Sequence, residues 1–326
     1  MEHVKLYVVV PNWNGKDFIA ECLDSLKSQT IIHKVVVVDN GSTDGSQVLI
    51  KQKYSEVELI ELDKNYGFTG GVNAGIEFAI NLGAEYVCLL NNDAVADKNW
   101  LINLHSSIIK SKKIGITTSK ILRDDRKHLD STGDFYSIWG IPFPRGRNEV
   151  DTGQYDKLTS IFSASGGASI YKVEMLKQIG LFDQAFFAYF EDVDISFRAQ
   201  LKGWKVTYEP SAIVYHKVNG TSSKLGDFSR YHSIKNFCLV YTKNMPGILY
   251  FKYLPLFWAQ LARWFVGSLL RGKLIVFLNA SLKVIILLPI TFYKRIGVQL
   301  KKEVSANYID ELLYKKRPPK TEKYGD

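Results

Sequence analysis

The first hundred or so residues alternate short β-branched runs with amphipathic stretches, and that rhythm restricts the fold more than any other feature of the chain. Residues 6–10 are followed by 18–26, 35–38 by 47–52, 57–62 by 72–81, and 86–90 by 99–109. Strand followed by helix, repeated, requires crossover connections, so the pattern predicts an α/β fold around a mainly parallel sheet. Strands as continuously apolar as 35–38 predict a sheet covered on both faces. Ligands of such sheets lie beyond the carboxyl ends of the strands. Chemistry is therefore to be sought in residues 11–15, 39–45, 64–71 and 91–94.

Beyond residue 123 the rhythm dissolves into charge, Gly and Pro as far as 157, which reads as an excursion rather than a linker. A Ser/Gly-rich strand-like segment spans 160–171, a helix starts near Val173, and another covers 191–201 with Gly203 as its stop. Residues 206–208 and 213–215 read as short strands, and 315–326 as a polar, frayed tail. With 46% hydrophobic and 23% charged residues in 326, the chain has material for a core. Cys22, Cys88 and Cys238 lie far apart, which disfavours a disulfide framework, a thiolate zinc site and a redox pair. Together with an opening apolar run of only five residues before Pro11, this points to a cytoplasmic chain without a secretory signal.

The formal charge of +9 is local. Nine Lys and Arg and no acid lie between Met245 and Lys302, while the other 33 bases meet 33 acids. Ten aromatic residues, among them Phe257, Trp258, Trp264 and Phe265, share that stretch with Leu, Ile and Val. Bases interleaved with aromatics suit single-stranded nucleic acid, but apolar intervening residues suit an anionic membrane surface better. Uncharged runs reach ten residues at most, against about 20 for a spanning helix, so helices lying in the interface are expected. Leu254, Phe257, Trp258, Leu261 and Phe265 form the apolar stripe of one of them, with Lys252 and Arg263 opposite. The alternative is that these helices pack on the globular part and present the bases to water. The resulting division is a domain over 1–243 and a basic amphipathic helical segment with its tail over 244–326.

Four groups of residues carry candidate chemistry. Asp39 ends the second strand and begins a turn-rich segment; its carboxylate suits a base-ring N–H or ribose hydroxyl, or simply an Asx turn. The Gly-rich run 65–75, with Gly70, Gly71 and Asn73, opens a helix to which phosphate or sugar hydroxyls can approach. It has neither dinucleotide-fold nor P-loop spacing. Asn91, Asn92 and Asp93 follow a buried strand, and hard oxygen ligands there suit Mg²⁺ or Mn²⁺ bridging two phosphates. Glu191 and Asp192 follow the aromatics Phe186, Phe187, Tyr189 and Phe190; a carboxylate beside aromatics can acquire the basicity of a general base, although acids are also common at helix N-termini.

Read in order, these pieces, with Pro11 before them and His216 after, resemble the family 2 inverting glycosyltransferases of the GT-A fold, over about residues 4–220. The resemblance implies a nucleotide-sugar-binding domain with a central mixed, mainly parallel sheet, extended here by C-terminal amphipathic helices. It implies that Asp39 and the loop Pro11, Asn12 and Asn14 hold the nucleotide base, that Asp93 occupies the metal position of an Asp-x-Asp motif and that His216 is a second metal ligand. Asp192 would be the catalytic base. Asn91 stands where many members have Asp. Gly70, Gly71, Asn73, Asn91 and Asn92 join the donor site, and Glu191, Arg198 and Trp204 are acceptor-side candidates. The runs 65–73 and 189–198 look most like rhamnosyltransferase members, which use dTDP-L-rhamnose. The expectation is transfer of that sugar to a saccharide acceptor, lipid-linked, by an enzyme held peripherally at the inner face of the cell membrane in bacterial surface-polysaccharide assembly. No nucleic acid partner is expected. Alternatives are a UDP-hexose or UDP-HexNAc transferase of the same fold, or a catalytically silent nucleotide-sugar-binding protein at a membrane.

Overall fold

A computed structural model describes residues 5–217 and 226–319. The part of the polar tail beyond 319 lies outside the described residues. Strands β1 (Leu6–Asn12), β2 (Lys34–Asp39), β3 (Glu58–Glu61) and β4 (Tyr86–Leu90) alternate with helices α1 (Ile19–Lys27), α2 (Ser46–Lys53) and α3 (Gly67–Asn81). They pair in parallel in the order β3-β2-β1-β4. β1 and β4 are apolar on both faces because α1 buries Ile19, Leu23 and Leu26 on one side while α3 buries Val72 and Ile76 on the other.

After β5 (Ala94–Ala96) and α4 (Trp100–Ile108) the chain builds the other half of the sheet. It uses β6 (Ile114–Arg123), β10 (Ala168–Lys172) and β11 (Lys205–His216), with helices α5 (Val173–Ile179) and α6 (Glu191–Leu201) between the last two. β10 lies antiparallel between β4 and β6, and β11 runs parallel to β6, so the sheet is mixed. The two short strands expected near 206 and 213 are one strand, interrupted by a register shift between Glu209 and Ile213 where Pro210 lacks an N–H for the ladder. The excursion is more ordered than its composition suggests: β7 (Leu129–Ser131) pairs with β6, and β8 (Asp134–Tyr136) pairs with β9 (Pro142–Pro144).

Helix α3 begins five residues before the predicted start because Asn65 Oδ1 accepts the Gly67 N–H at 2.7 Å. Its glycines serve approach rather than flexibility. A Cβ on Gly75 would lie 2.4 Å from Val9 Cγ1.

The C-terminal segment forms α7 (Gly226–Asn244), α8 (Gly247–Leu270), α9 (Leu274–Leu300) and α10 (Ala306–Leu312). α7 packs on α6, α8 and α9. One buried cluster joins Phe186, Phe190 and Phe197 to Phe237, Tyr253, Phe257 and Ile309, so packing is continuous across residues 243 and 244. The stripe expected on α8 divides. Phe257 stacks on Phe237 and Tyr241, whereas Trp258 points outward on a second stripe with Phe251, Phe265 and Leu269. The helix is apolar on both sides.

α9 differs more sharply from expectation, since it runs unbroken through Lys283 and Pro289 and is long and apolar enough to cross a membrane. Its polar side is turned inward: Lys294 Nζ pairs with Asp183 at 2.6 Å, Arg295 donates to Thr242 O and Gln299 to Asn244 O. Its outward side, Ile275, Leu278, Leu282, Ile285, Ile286, Tyr293, Ile296 and Leu300, follows one helical stripe and is exposed.

Candidate active site

The carboxyl ends of β1 and β4, the turn after β2, residues 165–168 and the loop before α6 enclose a cleft of about 290 Å³. Pro11, Asn12, Asn91, Asn92, Asp93, Glu191, Asp192 and His216 all line it. Predicted residues from four separate stretches of sequence thus meet at one place.

On the first wall, a web of amides fixes the strand ends. Asn12 Nδ2 donates to Asp39 Oδ2 at 2.9 Å and Ser46 Oγ at 3.0 Å, and Asn12 Oδ1 accepts from Asn92 Nδ2 at 2.8 Å. Gly15 is required beside them, because a Cβ there would lie 2.0 Å from Asn92 Nδ2. Asn40 ties the turn after β2 to the N-terminus of α3 through Tyr66 N and Gly67 O.

Asp39 itself is fully buried behind this wall. Its oxygens accept from Asn12, Ser42 N, Ser46 and Gln47, so the carboxylate organises the loops and is not among the cleft-lining residues. Asn14 is exposed but outside the lining of the cleft, with its N–H on Ser42 Oγ and its Oδ1 accepting Thr43 N.

The metal candidates meet as expected from their order, and they bring a residue that the sequence reading missed. His216 Nε2 lies 3.3 Å from Asp93 Oδ1, and His216 Nδ1 lies 3.0 Å from Asp130 Oδ2. Arg147 pairs with the other oxygen of Asp130 at 2.9 Å. Burial alone would lower the His216 pKa, but the hydrogen bonds and charges of Asp130 and Asp93 lift it to about 9. Asp130 lies on β7, inside the segment read as an excursion. Its signal was the pair Asp130 and Asp134 bracketing small turn residues, and both line the cleft.

The opposite wall is strained. Phe187, Tyr189 and Phe190 have φ of 66°, 69° and 67°, a left-handed conformation that L side chains rarely adopt. Such a conformation persists only where the surroundings impose it. Here Asn236 Nδ2 of α7 lies within 3.0 Å of the carbonyls of Phe186, Ala188 and Tyr189, Lys235 Nζ donates to Ala185 O at 2.7 Å, and Thr69 N donates to Phe187 O at 3.1 Å. Gly67 makes room, since a Cβ there would lie 2.4 Å from Phe187 O.

The loop delivers Glu191 and Asp192 to the first turn of α6 at the cleft. Asp192 Oδ2 accepts from Gly166 N at 3.0 Å and Oδ1 from its neighbour Val193 N at 2.8 Å. These bonds orient the carboxylate at the edge of the cleft.

Besides Asp39 and Asn14, five further candidates lie off the cleft, each for a packing reason. Arg198 bonds Asp194 at 2.9 Å and the carbonyls of Ile179, Gly180 and Leu181, buried on the far side of α6. Trp204 is buried with Nε1 on Gln178 Oε1. Asn73 exchanges two hydrogen bonds with the Phe182 backbone. Gly70 and Gly71 face Tyr66, Asn40 and Pro11 inside the α3 packing. In their place the cleft presents Trp13, Phe68 and Tyr189.

A mixed sheet of this order, with its cleft at the ends of β1 and β4 and acids contributed from β7 and the α6 N-terminus, defines an α/β domain of the GT-A type. The chain belongs to glycosyl transferase family 2, which it matches over residues 7–180. Among solved structures, it superposes on a mannosyltransferase from Pyrobaculum calidifontis in complex with GDP-Man and Mn²⁺ (TM-score 0.55, 17% identity, 91% of this chain and 85% of that one). It superposes equally on residues 1–349 of S. aureus TarS in complex with UDP (TM-score 0.55, 18% identity, 91% and 88%).

Among curated relatives, a low-salt glycan biosynthesis hexosyltransferase of Haloferax volcanii is 24% identical over 60% of this chain and 61% of its own length. An N-acetylglucosaminyl-diphospho-decaprenol L-rhamnosyltransferase of Mycobacterium tuberculosis is 27% identical over 57% and 67%. Rhamnosyltransferase WbbL of Escherichia coli K12 is 23% identical over 65% and 83%. The chain thus spans about three fifths of the archaeal relative, and it spans 32% of a poly(ribitol-phosphate) β-glucosyltransferase of Bacillus spizizenii.

Proposed function

We propose that this protein is an inverting glycosyltransferase that moves a sugar from a nucleoside diphosphate to a hydroxyl of a saccharide acceptor. The observation that carries the reading is the meeting, in one cleft, of an oriented carboxylate at the start of α6 with Asp93 and His216 across from it. In one-step inversion the attacking hydroxyl gives up its proton as the diphosphate leaves with growing negative charge. Asp192 is the group that takes the proton. Asn12, Asn91 and Asn92 orient the nucleotide from the first wall.

The donor set also suits a divalent cation. Asp93 Oδ1 lies 3.3 Å from His216 Nε2 at the cleft, and Asp130 fixes the opposite nitrogen of that ring, as an outer partner does for a metal-binding histidine. Among the described residues no group of three or more His, Cys, Asp or Glu could hold a metal. A cation here would therefore take further ligands from the donor diphosphate, as Mg²⁺ and Mn²⁺ readily do. Asp93 and His216 would hold the ion, which neutralises the leaving diphosphate when bound.

For the donor we infer dTDP-L-rhamnose. Phe68 offers an apolar contact for the methyl of a deoxy sugar, and two of the relatives are named as L-rhamnosyl- or rhamnosyltransferases. Such a contact discriminates by about 1–3 kcal/mol. The acceptor is lipid-linked, and the enzyme lies on the cytoplasmic face of a membrane. The outward stripes of α8 and α9 support this, because contiguous exposed apolar surface of this extent is unusual on a protein that meets only water. The segment from 244 onward is then the membrane-associating part. Its inward-turned polar side favours lying in the interface over spanning.

The test is turnover with a nucleotide-sugar panel in Mg²⁺ and Mn²⁺, using lipid-linked acceptors. Hydrolysis or transfer from dTDP-L-rhamnose above all UDP sugars is expected. Faster turnover with UDP-glucose or UDP-GlcNAc removes the rhamnose assignment, and inertness toward every donor removes the enzyme.

A further inference from the structure

The strained loop of the second wall carries more than the carboxylates that follow it. Its aromatic residues divide by side. Phe186 and Phe190 are buried in the cluster shared with the C-terminal helices, whereas Phe187 and Tyr189 are half-buried and line the cleft. The two cleft-lining residues are left-handed, with φ of 66° and 69°. Backbone held in so sparsely populated a region is characteristic of functional sites.

Helix α7 completes the surface. Phe228, in its first turn, is half-buried and also lines the cleft, with its ring centroid 6.3 Å from that of Tyr189 and 6.0 Å from that of Phe187. His232, one turn further on, stacks on Phe187 at 5.3 Å and 21° and lies 4.3 Å from Phe228. Burial, and then the charge of Lys235, lower the His232 pKa to about 4 against the hydrogen bond to Phe186 O. At neutral pH this ring therefore adds aromatic surface and no charge.

Tyr189 and Phe228 thus form an aromatic shelf on the wall that holds Asp192, opposite the amides of the first wall. Polar atoms border it. Burial, and then the charge of Glu191, push the Tyr189 pKa up to about 12, so its phenol remains a donor at neutral pH, and Ser165 and Asp192 line the same cleft. A hydrocarbon chain laid here would strip water from these groups and return no hydrogen bond. A sugar ring meets both demands, because its C–H face covers aromatic surface while its hydroxyls bond the border.

We propose that Tyr189 and Phe228 seat the acceptor sugar, stacking the C–H face of a pyranose ring so that one of its hydroxyls reaches Asp192. The proposal rests on the glycosyltransfer reading above and names the residues that select the acceptor. Saturation-transfer NMR on the full chain with dTDP and Mn²⁺ tests it. The probe is methyl β-D-glucopyranoside, and the comparison is sorbitol, which has hydroxyls without the ring.

Saturation of the ring C–H protons is expected for the glucoside and none for sorbitol. Phe228→Leu keeps an apolar side chain against Phe187 and His232 but removes the aromatic face. It should weaken glucoside binding about three- to tenfold, and Phe228→Tyr should restore it. Tyr189→Leu should act like Phe228→Leu. dTDP affinity by calorimetry should match the wild type in each variant, which verifies the fold. A parallel loss of dTDP affinity makes the rings a structural prop and overturns the assignment. Equal saturation of sorbitol overturns ring stacking, and glucoside binding indifferent to both Leu variants, or no binding at all, overturns the shelf. A glucoside bound through the shelf by a protein inert toward every sugar donor would instead leave the shelf standing and remove the glycosyltransfer reading.

Discussion

The two walls of the cleft do similar work by different means. The first, at the ends of β1 and β4 with the turn after β2, places Asn12 on β1 and Asn91 and Asn92 in the short turn between β4 and β5, where neighbouring strands and helices already hold them. The second, residues 186–192, carries three left-handed residues and keeps its shape because Asn236 and Lys235 of α7 bond its carbonyls. One wall is local to its strand–helix units. The other depends on a helix nearly fifty residues downstream. The comparison teaches that the C-terminal helices, whatever they do at a membrane, are also structural parts of the active site.

The sharpest way to break the comparison is to separate chemistry from nucleotide binding. Asp192→Asn on the second wall should lower sugar transfer by about 10²- to 10⁴-fold, with dTDP affinity nearly unchanged by calorimetry. Transfer at the wild-type rate would remove Asp192 as the base.

Asp130→Asn probes the link between the excursion and the first wall. Outer partners of a metal-bound histidine are typically worth about 10- to 100-fold in metal affinity or activity, so Mn²⁺-dependent binding of dTDP should weaken by that order while binding measured in EDTA stays constant. An equal loss in EDTA would make Asp130 a purely structural partner of His216.

A paired substitution tests the asymmetry directly. Asn236→Ala takes the side-chain donor from the carbonyls of Ala188 and Tyr189, while Phe186 O keeps Lys235, at a cost of roughly 1–3 kcal/mol per buried group left unmet. It should reduce turnover several-fold and spare nucleotide affinity. Asn12→Ala should do the reverse. Matching kinetic profiles for the two would erase the distinction between the walls.

The smallest expected effect is on stability against pH. Burial, and then the charge of Lys283, lower the Lys235 pKa to about 8, with Asp183 and Glu191 opposing. Between about 8 and the ordinary lysine value of 10.5 the unfolded chain binds more protons at this position, so this group makes the protein more stable as pH rises through that window. Lys235→Met should flatten that component of a thermal-shift profile. A profile identical to wild type would place the Lys235 pKa near its ordinary value.

The legibility of the site followed the same division. Strand-end residues could be read because a short continuous apolar run followed by Asn, Asp or Gly announces both the strand and the place where it stops. Pro11, Asn12, Asn91, Asn92 and Asp93 were singled out this way, Glu191 and Asp192 by the aromatic run before them, and His216 by the family resemblance. Arg198 and Trp204 misled because type and proximity to the motif do not reveal which side of α6 or β11 a side chain takes. Gly70, Gly71 and Asn73 were read as open to phosphate or sugar hydroxyls, but what approaches them is the chain's own backbone and side chains. Asp130 escaped because a short strand with little hydrophobic periodicity carries almost no pattern.

By itself the sequence determined the alternation of strand and helix, the covered sheet, the strand ends at which the cleft opens and the concentration of base and apolar surface beyond residue 245. These are set by local periodicity and composition. Tertiary structure alone decided that Asp39 is enclosed by four donors, that Asp130 orients His216, that α7 holds the strained loop and that α9 turns its polar side inward and its apolar side out. Each of these depends on which distant partner satisfies a buried polar group, and that choice is made only when the elements pack.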